Sequence, residues 1–298
     1  MLSGKGVRWS GRQRATGMEQ KSRRSPFKNH VVAVGKGFPL ICLPGFGSAN
    51  WVFTKMAEGL SIAFEVIMPD NRGMGRSPPS PGPYSVADLA QDALQVMDDL
   101  GHERFGVIGL SMGGFIAQIL TLTAPERVAA LALLCTTSSG PDFENHFPLM
   151  PEDQLRAIYT LDPLARARLA LDASLVPFLH ARYQTIYDYL IQMRTTLPEN
   201  PAEVFLQYSA VASFMKQPLP LEQIDCPVLV MSGDKDILVP PENAHLLVKK
   251  IPGAKLHFIP ETDHLFFLEK ADDVAGLLGD FFRGSQHRDP GREAQSPP

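Results

Sequence analysis

The stretch Phe105-Gly106-Val107-Ile108-Gly109-Leu110-Ser111-Met112-Gly113-Gly114 decides the fold. Its first six residues form a near-continuous apolar run, the pattern of a strand covered on both faces. A helical pattern, Met112 to Thr123, begins directly after it. A strand that runs straight into a helix must turn tightly, and small residues at 109 and 113 let the two backbones approach. The serine at the apex then stands clear of the sheet on a strained backbone. A hydroxyl is a poor nucleophile until a base takes its proton. Placed at a helix start, it sits where backbone N–H groups favour developing negative charge. Ser111 is therefore the candidate nucleophile.

Working outward, further apolar runs lie at Pro39–Leu43, Phe64–Met68, Val128–Cys135, Val228–Ser232 and Lys255–Ile259. Helical patterns separate them. Ser85–Leu100 carries an apolar stripe at Val86, Leu89, Ala90, Ala93, Leu94, Val96 and Met97, with Ser85 as N-cap and Gly101 as stop. Glu242–Lys250 and Ala271–Phe282 are the later helices. Strands alternating with helices imply an α/β fold with a mostly parallel central sheet, flanked by helices and joined by right-handed crossovers. From 141 to 222 no strand-like run occurs, and prolines punctuate about four short helical patterns. An all-helical insertion before a late strand is expected to be a lid over the carboxyl ends of the strands. The expected organisation is a core over 26–140 and 223–284, a lid over 141–222, and disordered tails over 1–25 and 285–298.

The composition narrows the function. The 298 residues are 44% apolar and 20% charged with a net charge of −4, which suits a large globular core. No basic cluster lies in the body of the chain, so no nucleic-acid partner is expected. No apolar stretch reaches the roughly 20 residues of a membrane helix, so no stable membrane anchoring is expected. Cys42, Cys135 and Cys226 lie in or beside strand-like runs and read as reduced core thiols. The first 30 residues set many Lys and Arg against one acid, Glu19. That composition fits a disordered tail, with organelle targeting as the alternative. A cytoplasmic monomer or homodimer is the expected form.

The elbow Gly109-Leu110-Ser111-Met112-Gly113-Gly114 makes the chain resemble the α/β-hydrolase superfamily over roughly Pro26–Arg283. The style is that of small carboxylesterases and enol-lactone hydrolases. The resemblance implies a cofactor-free serine hydrolase. By it, the oxyanion hole comes from the backbone N–H groups of Met112, after the serine, and Phe46, in Leu43-Pro44-Gly45-Phe46-Gly47. Pro44 stands where the family usually has His. The family's acid falls at Asp236 in Gly233-Asp234-Lys235-Asp236, with Asp234 a turn residue and Asp142 a remote alternative. The base falls at His264, after the last strand, in the chain order this fold imposes.

Asp70-Asn71-Arg72-Gly73-Met74-Gly75-Arg76-Ser77 resembles an architectural loop of the same relatives, with Asp70 and Arg72 expected to hold it by hydrogen bonds. Trp51 and the lid residues Tyr183, Tyr187 and Phe214 are candidates for lining an apolar acyl pocket. The implied substrate is a small carboxylic ester or lactone. Carbon–carbon bond hydrolysis of β-diketones, acyl transfer, and a slow ligand receptor built on the same triad stay open as alternatives.

Overall fold

Runs of Val, Ile and Leu are shielded on both faces only when helices cover a sheet from either side. The computed structural model, which describes residues 27–173 and 184–285, has this architecture. Seven strands are β1 (Val31–Gly35), β2 (Phe38–Leu43), β3 (Phe64–Pro69), β4 (Phe105–Leu110), β5 (Val128–Leu134), β6 (Val228–Gly233) and β7 (Lys255–Ile259). They form one sheet in the order β1-β3-β2-β4-β5-β6-β7. β2 to β7 are parallel, and β1 pairs antiparallel with β3.

Alternate residues feed two separate layers. Ile41, Val107, Leu131 and Val230 face one layer; Leu40, Ile108, Ala132 and Met231 face the other. Each large side chain fully buried this way contributes roughly 1.5–3 kcal/mol. One layer is built on α2 (Val86–Asp99) and α3 (Met112–Thr123), the other on α1 (Thr54–Leu60) and α11 (Ala271–Ser285). At the start of α2 the hydroxyl of Ser85 accepts the Asp88 N–H while the Asp88 carboxylate accepts the Ser85 N–H, a reciprocal cap.

β1 was not legible as a strand. Its residues are half-buried or exposed, because it covers one edge of the sheet and needs no continuous apolar run. Between β5 and β6 every described element is helical: α4 (Pro141–Glu144), α5 (Glu152–Ile158), α6 (Pro163–Asp172), α7 (Gln184–Thr196), α8 (Pro201–Met215) and a 3-10 turn at Leu221–Gln223. The short helix α4, beginning at Pro141, makes this five α-helices among the described residues rather than about four. The expected disordered tails, 1–25 and 285–298, lie outside the described residues apart from Ser285, which ends α11.

The strand order reverses across β2. β3 lies on one side of it, while β4 and its successors extend on the other. The crevice beyond Leu43 and Leu110, the carboxyl ends of the adjacent strands β2 and β4, is where this topology binds ligands. α9 (Glu242–Lys250) and α10 (Phe266–Glu269) complete the chain around β6 and β7.

Candidate active site

Ser111 sits between β4 and α3 with φ 52° and ψ −119°, a conformation rarely adopted by a side-chain-bearing residue. Such a residue costs of order 1–3 kcal/mol and persists only where its surroundings fix it. Here its N–H donates to the Leu134 carbonyl of β5 at 2.9 Å. Its own carbonyl accepts the Gly114 N–H at 2.8 Å and the Thr136 hydroxyl at 2.6 Å. The approach of strand and helix leaves no room for larger residues. A Cβ on Gly109 would lie 2.6 Å from the Gly113 carbonyl oxygen, and one on Gly113 would overlap the carbonyl of Leu43.

The loop after β2 passes directly over the serine. A Cβ on Gly45 would sit 3.3 Å from the Ser111 Cβ. Phe46, Met112 and Ser111 all border one cavity. Gln207 on α8 accepts the Gly47 N–H at 2.7 Å, and Asn71 donates to the Pro44 carbonyl at 3.4 Å. These two side chains brace the loop in which Pro44 replaces the family's His. Asp70 holds its own loop as expected, accepting the N–H groups of Asn50 (2.7 Å) and Arg76 (2.9 Å). Arg72 reaches across to Asp92 on α2, at 2.8 Å through Nη2. That contact clamps the loop to the helix.

Asp236 and His264 come together from the loops after β6 and β7. Nδ1 of His264 lies 2.8 Å from Asp236 Oδ2, and both residues are buried. A carboxylate only accepts, so Nδ1 carries a proton, and in the neutral ring Nε2 is left free of one. Asp236 Oδ1 accepts the N–H groups of Leu238 (2.9 Å) and Val239 (2.8 Å), which fixes the carboxylate. Burial pulls the imidazole pKa down. The Asp236 carboxylate and the Cys135 side chain outweigh it and hold the pKa well above the ordinary histidine value.

The competing acids do not reach the ring. Asp142 is exposed and pairs with Lys250 at 2.7 Å, and Asp234 faces Lys235. The residue that does share His264 is Cys135, directly after β5. Its sulfur, a carboxylate oxygen of Asp236 and a ring nitrogen of His264 lie within 4.8 Å of one another. Cys135 also has positive φ, 38°. Burial raises its pKa, opposed by the His264 ring beside it. Read as core packing, Cys135 was underestimated. Its place at the carboxyl end of the strand beside the serine's strand was the available signal.

Ser111 and His264 line the same cavity, of about 580 Å³. Trp51 lines it as expected. Tyr187 and Phe214 do not. The Tyr187 hydroxyl contacts Asp172 at 3.2 Å, and Phe214 is buried behind the wall, stacked on Phe115 with centroids 4.8 Å apart. A helical period of 3.6 turns neighbouring aromatics to different faces, and from sequence alone the inward face is ambiguous. Tyr183 lies outside the described residues. Tyr189 rather than Tyr187 braces the wall, donating to the Trp51 carbonyl at 3.0 Å. Sequence reasoning also missed Tyr159, Tyr208, Arg166, Arg194 and Glu199, all of which border the cavity.

A sequence model of the alpha/beta hydrolase fold matches residues 39–271. The chain belongs to the alpha/beta hydrolase fold family. Among relatives in this family, a 2-hydroxymuconate semialdehyde hydrolase of Pseudomonas putida is 29% identical over 266 residues, covering 86% of this chain and 90% of that protein. A poly(3-hydroxyalkanoate) depolymerase of Ectopseudomonas oleovorans is 26% identical, covering 84% and 86%. The fold of the enol-lactonase from Burkholderia xenovorans LB400 matches with a TM-score of 0.76 at 23% identity, covering 86% of this chain and 96% of that one. The shared architecture and the hydrolase relatives fit the expectation from the serine elbow. Among the described residues no helix is long and apolar enough to cross a membrane.

Proposed function

We propose that this chain is a serine hydrolase that cleaves a carboxylic ester or lactone through an acyl-enzyme on Ser111. The observation that carries the reading is the buried 2.8 Å contact of His264 with Asp236, at the rim of the cavity that holds the strained Ser111. In this reading Ser111 Oγ attacks the substrate carbonyl carbon while His264 Nε2 takes the hydroxyl proton. Asp236 stays ionised, fixes the tautomer and stabilises the imidazolium. The carbonyl oxygen becomes an oxyanion held by the N–H groups of Phe46 and Met112. Its collapse breaks the ester C–O bond, and Nε2 gives the proton to the departing alkoxide. Water then repeats the sequence on the acyl-enzyme, releasing the acid and restoring Ser111.

The insertion between β5 and β6 serves as the lid, its described helices contributing Leu155 and Val211, with Tyr159 just after α5, to the cavity wall. The relatives act on different bonds, so the bond cleaved is set by what the lid presents. The test is turnover of p-nitrophenyl acetate and butyrate by the wild type and by Ser111→Ala. Fast multiple turnover that disappears in the variant supports an esterase. Cleavage of a β-diketone but no ester points to a carbon–carbon bond hydrolase. Tight ligand binding with negligible turnover points to a receptor.

A further inference from the structure

The cavity is lined mainly by apolar side chains, yet one part of its wall is charged and unbalanced. Arg166 on α6 and Arg194 on α7 converge on Glu199 from the loop that follows α7. Arg194 Nη1 donates to Glu199 Oε1 at 2.7 Å, and Arg166 Nη2 lies 3.6 Å from Oε2. Glu199 is the lone acid among the described residues lining the cavity, so two guanidiniums share one carboxylate. Arg166 is only 7% exposed.

The Nε atoms of both arginines are buried and have no hydrogen-bond partner. A buried guanidinium N–H without an acceptor is unfavourable in an apolar wall, and a net positive charge there more so. Structural ion pairs normally close their donors, and these leave two open.

The cations also stand close to the proposed oxyanion loop. The Arg166 guanidinium lies 4.6 Å from the Tyr159 ring centroid, and the Tyr159 hydroxyl comes 3.8 Å from the Cβ position of Gly47. The Arg194 guanidinium lies 6.0 Å from the ring of Trp51. One aromatic ring therefore separates the cationic wall from the loop that is to hold the reacting carbonyl.

We infer that the substrate carries a second, free carboxylate, bound by Arg166 and Arg194, a short carbon chain away from the ester or lactone carbonyl. This rests on the hydrolase reading above. A carboxylate matches the planar donor fork of arginine and neutralises the excess charge, with Glu199 setting the spacing of the two forks.

The experiment compares monomethyl adipate with methyl hexanoate, and monomethyl glutarate with methyl pentanoate. The wild type should favour the acidic ester in kcat/KM by roughly tenfold or more, and Arg166→Gln or Arg194→Gln should collapse that ratio, chiefly through KM. Arg166→Lys should restore part of it. A wild-type ratio at or below one, or a ratio that both Gln variants leave in place, overturns the inference. Calorimetric titration of monomethyl adipate into Ser111→Ala supplies a readout that needs no turnover. Binding that is lost when Arg166→Gln is added supports the carboxylate site even if neither ester is cleaved. Binding no tighter than that of methyl hexanoate refutes it. Ser111-dependent cleavage of neutral esters alone leaves the hydrolase reading standing while the carboxylate site fails.

Discussion

Asp236 Oδ2 meets His264 Nδ1 at 2.8 Å across 28 positions of sequence, while Oδ1 of the same carboxylate is held by the N–H groups of Leu238 and Val239. The carboxylate is anchored from behind before it touches the ring. The orientation of the imidazole is thus built into the loop after β6.

Replacing Asp236 by Asn keeps the shape and removes the charge. In the comparable triad geometry this costs about 10⁴ in kcat, because the wrong tautomer is favoured. The expected result here is a loss of similar order in p-nitrophenyl ester turnover with an unchanged circular dichroism spectrum. Turnover within tenfold of wild type would mean that another acid orients the ring.

The pH dependence follows from the raised pKa of His264. The base must be neutral to accept a proton, so kcat/KM should rise with pH and level off only above that raised value. Stability runs the other way. The protonated ring paired with Asp236 contributes stability that is fully present below the unfolded histidine value of about 6.5 and is lost as pH rises through the folded pKa. Asp236→Asn should move the acid limb of the rate profile to lower pH. A profile that is flat between pH 6 and 9 would contradict this.

Cys135 stands against His264 with φ 38°, a backbone that Asp tolerates better than most residues. The double variant Cys135→Asp, Asp236→Asn should recover about tenfold or more of the turnover lost in Asp236→Asn alone, since the new carboxylate reaches the same ring. Ester turnover of the two variants, measured side by side, checks this. No recovery in a folded double variant would show that the side chain at 135 cannot address the imidazole.

Gly113→Ala should fail for a steric reason. The added Cβ overlaps the Leu43 carbonyl, which is backbone in a buried strand and cannot move aside. A loss of about 2–4 kcal/mol in denaturant unfolding is expected, against about 3–5 kcal/mol for Phe214→Ala from the cavity left beside Phe115. Phe214 does not line the cavity, so its variant should keep the wild-type preference for acyl length. Trp51→Ala, which enlarges the cavity, should shift that preference to longer acyl chains.

The sequence by itself determined the sheet and its chemistry-bearing corners. Runs such as Phe105–Leu110 and Val128–Leu134 are apolar at every position because both faces are covered, and that pattern needs no partner to be read. Ser111 was legible because a tight strand-to-helix turn constrains residue type locally, whereas Asp236 and His264 were expected from the family resemblance, each just after a strand-like run. Tertiary structure alone decided what shares the cavity with them. The half-exposed β1, the inward turn of Tyr159 in place of Tyr187, the approach of Cys135 to His264, and the meeting of Arg166, Arg194 and Glu199 all depend on how separate elements face one another. A single charged residue on a helix has the same local signature in solvent as in a buried wall. Only the packing of α6 and α7 over the sheet tells the two apart.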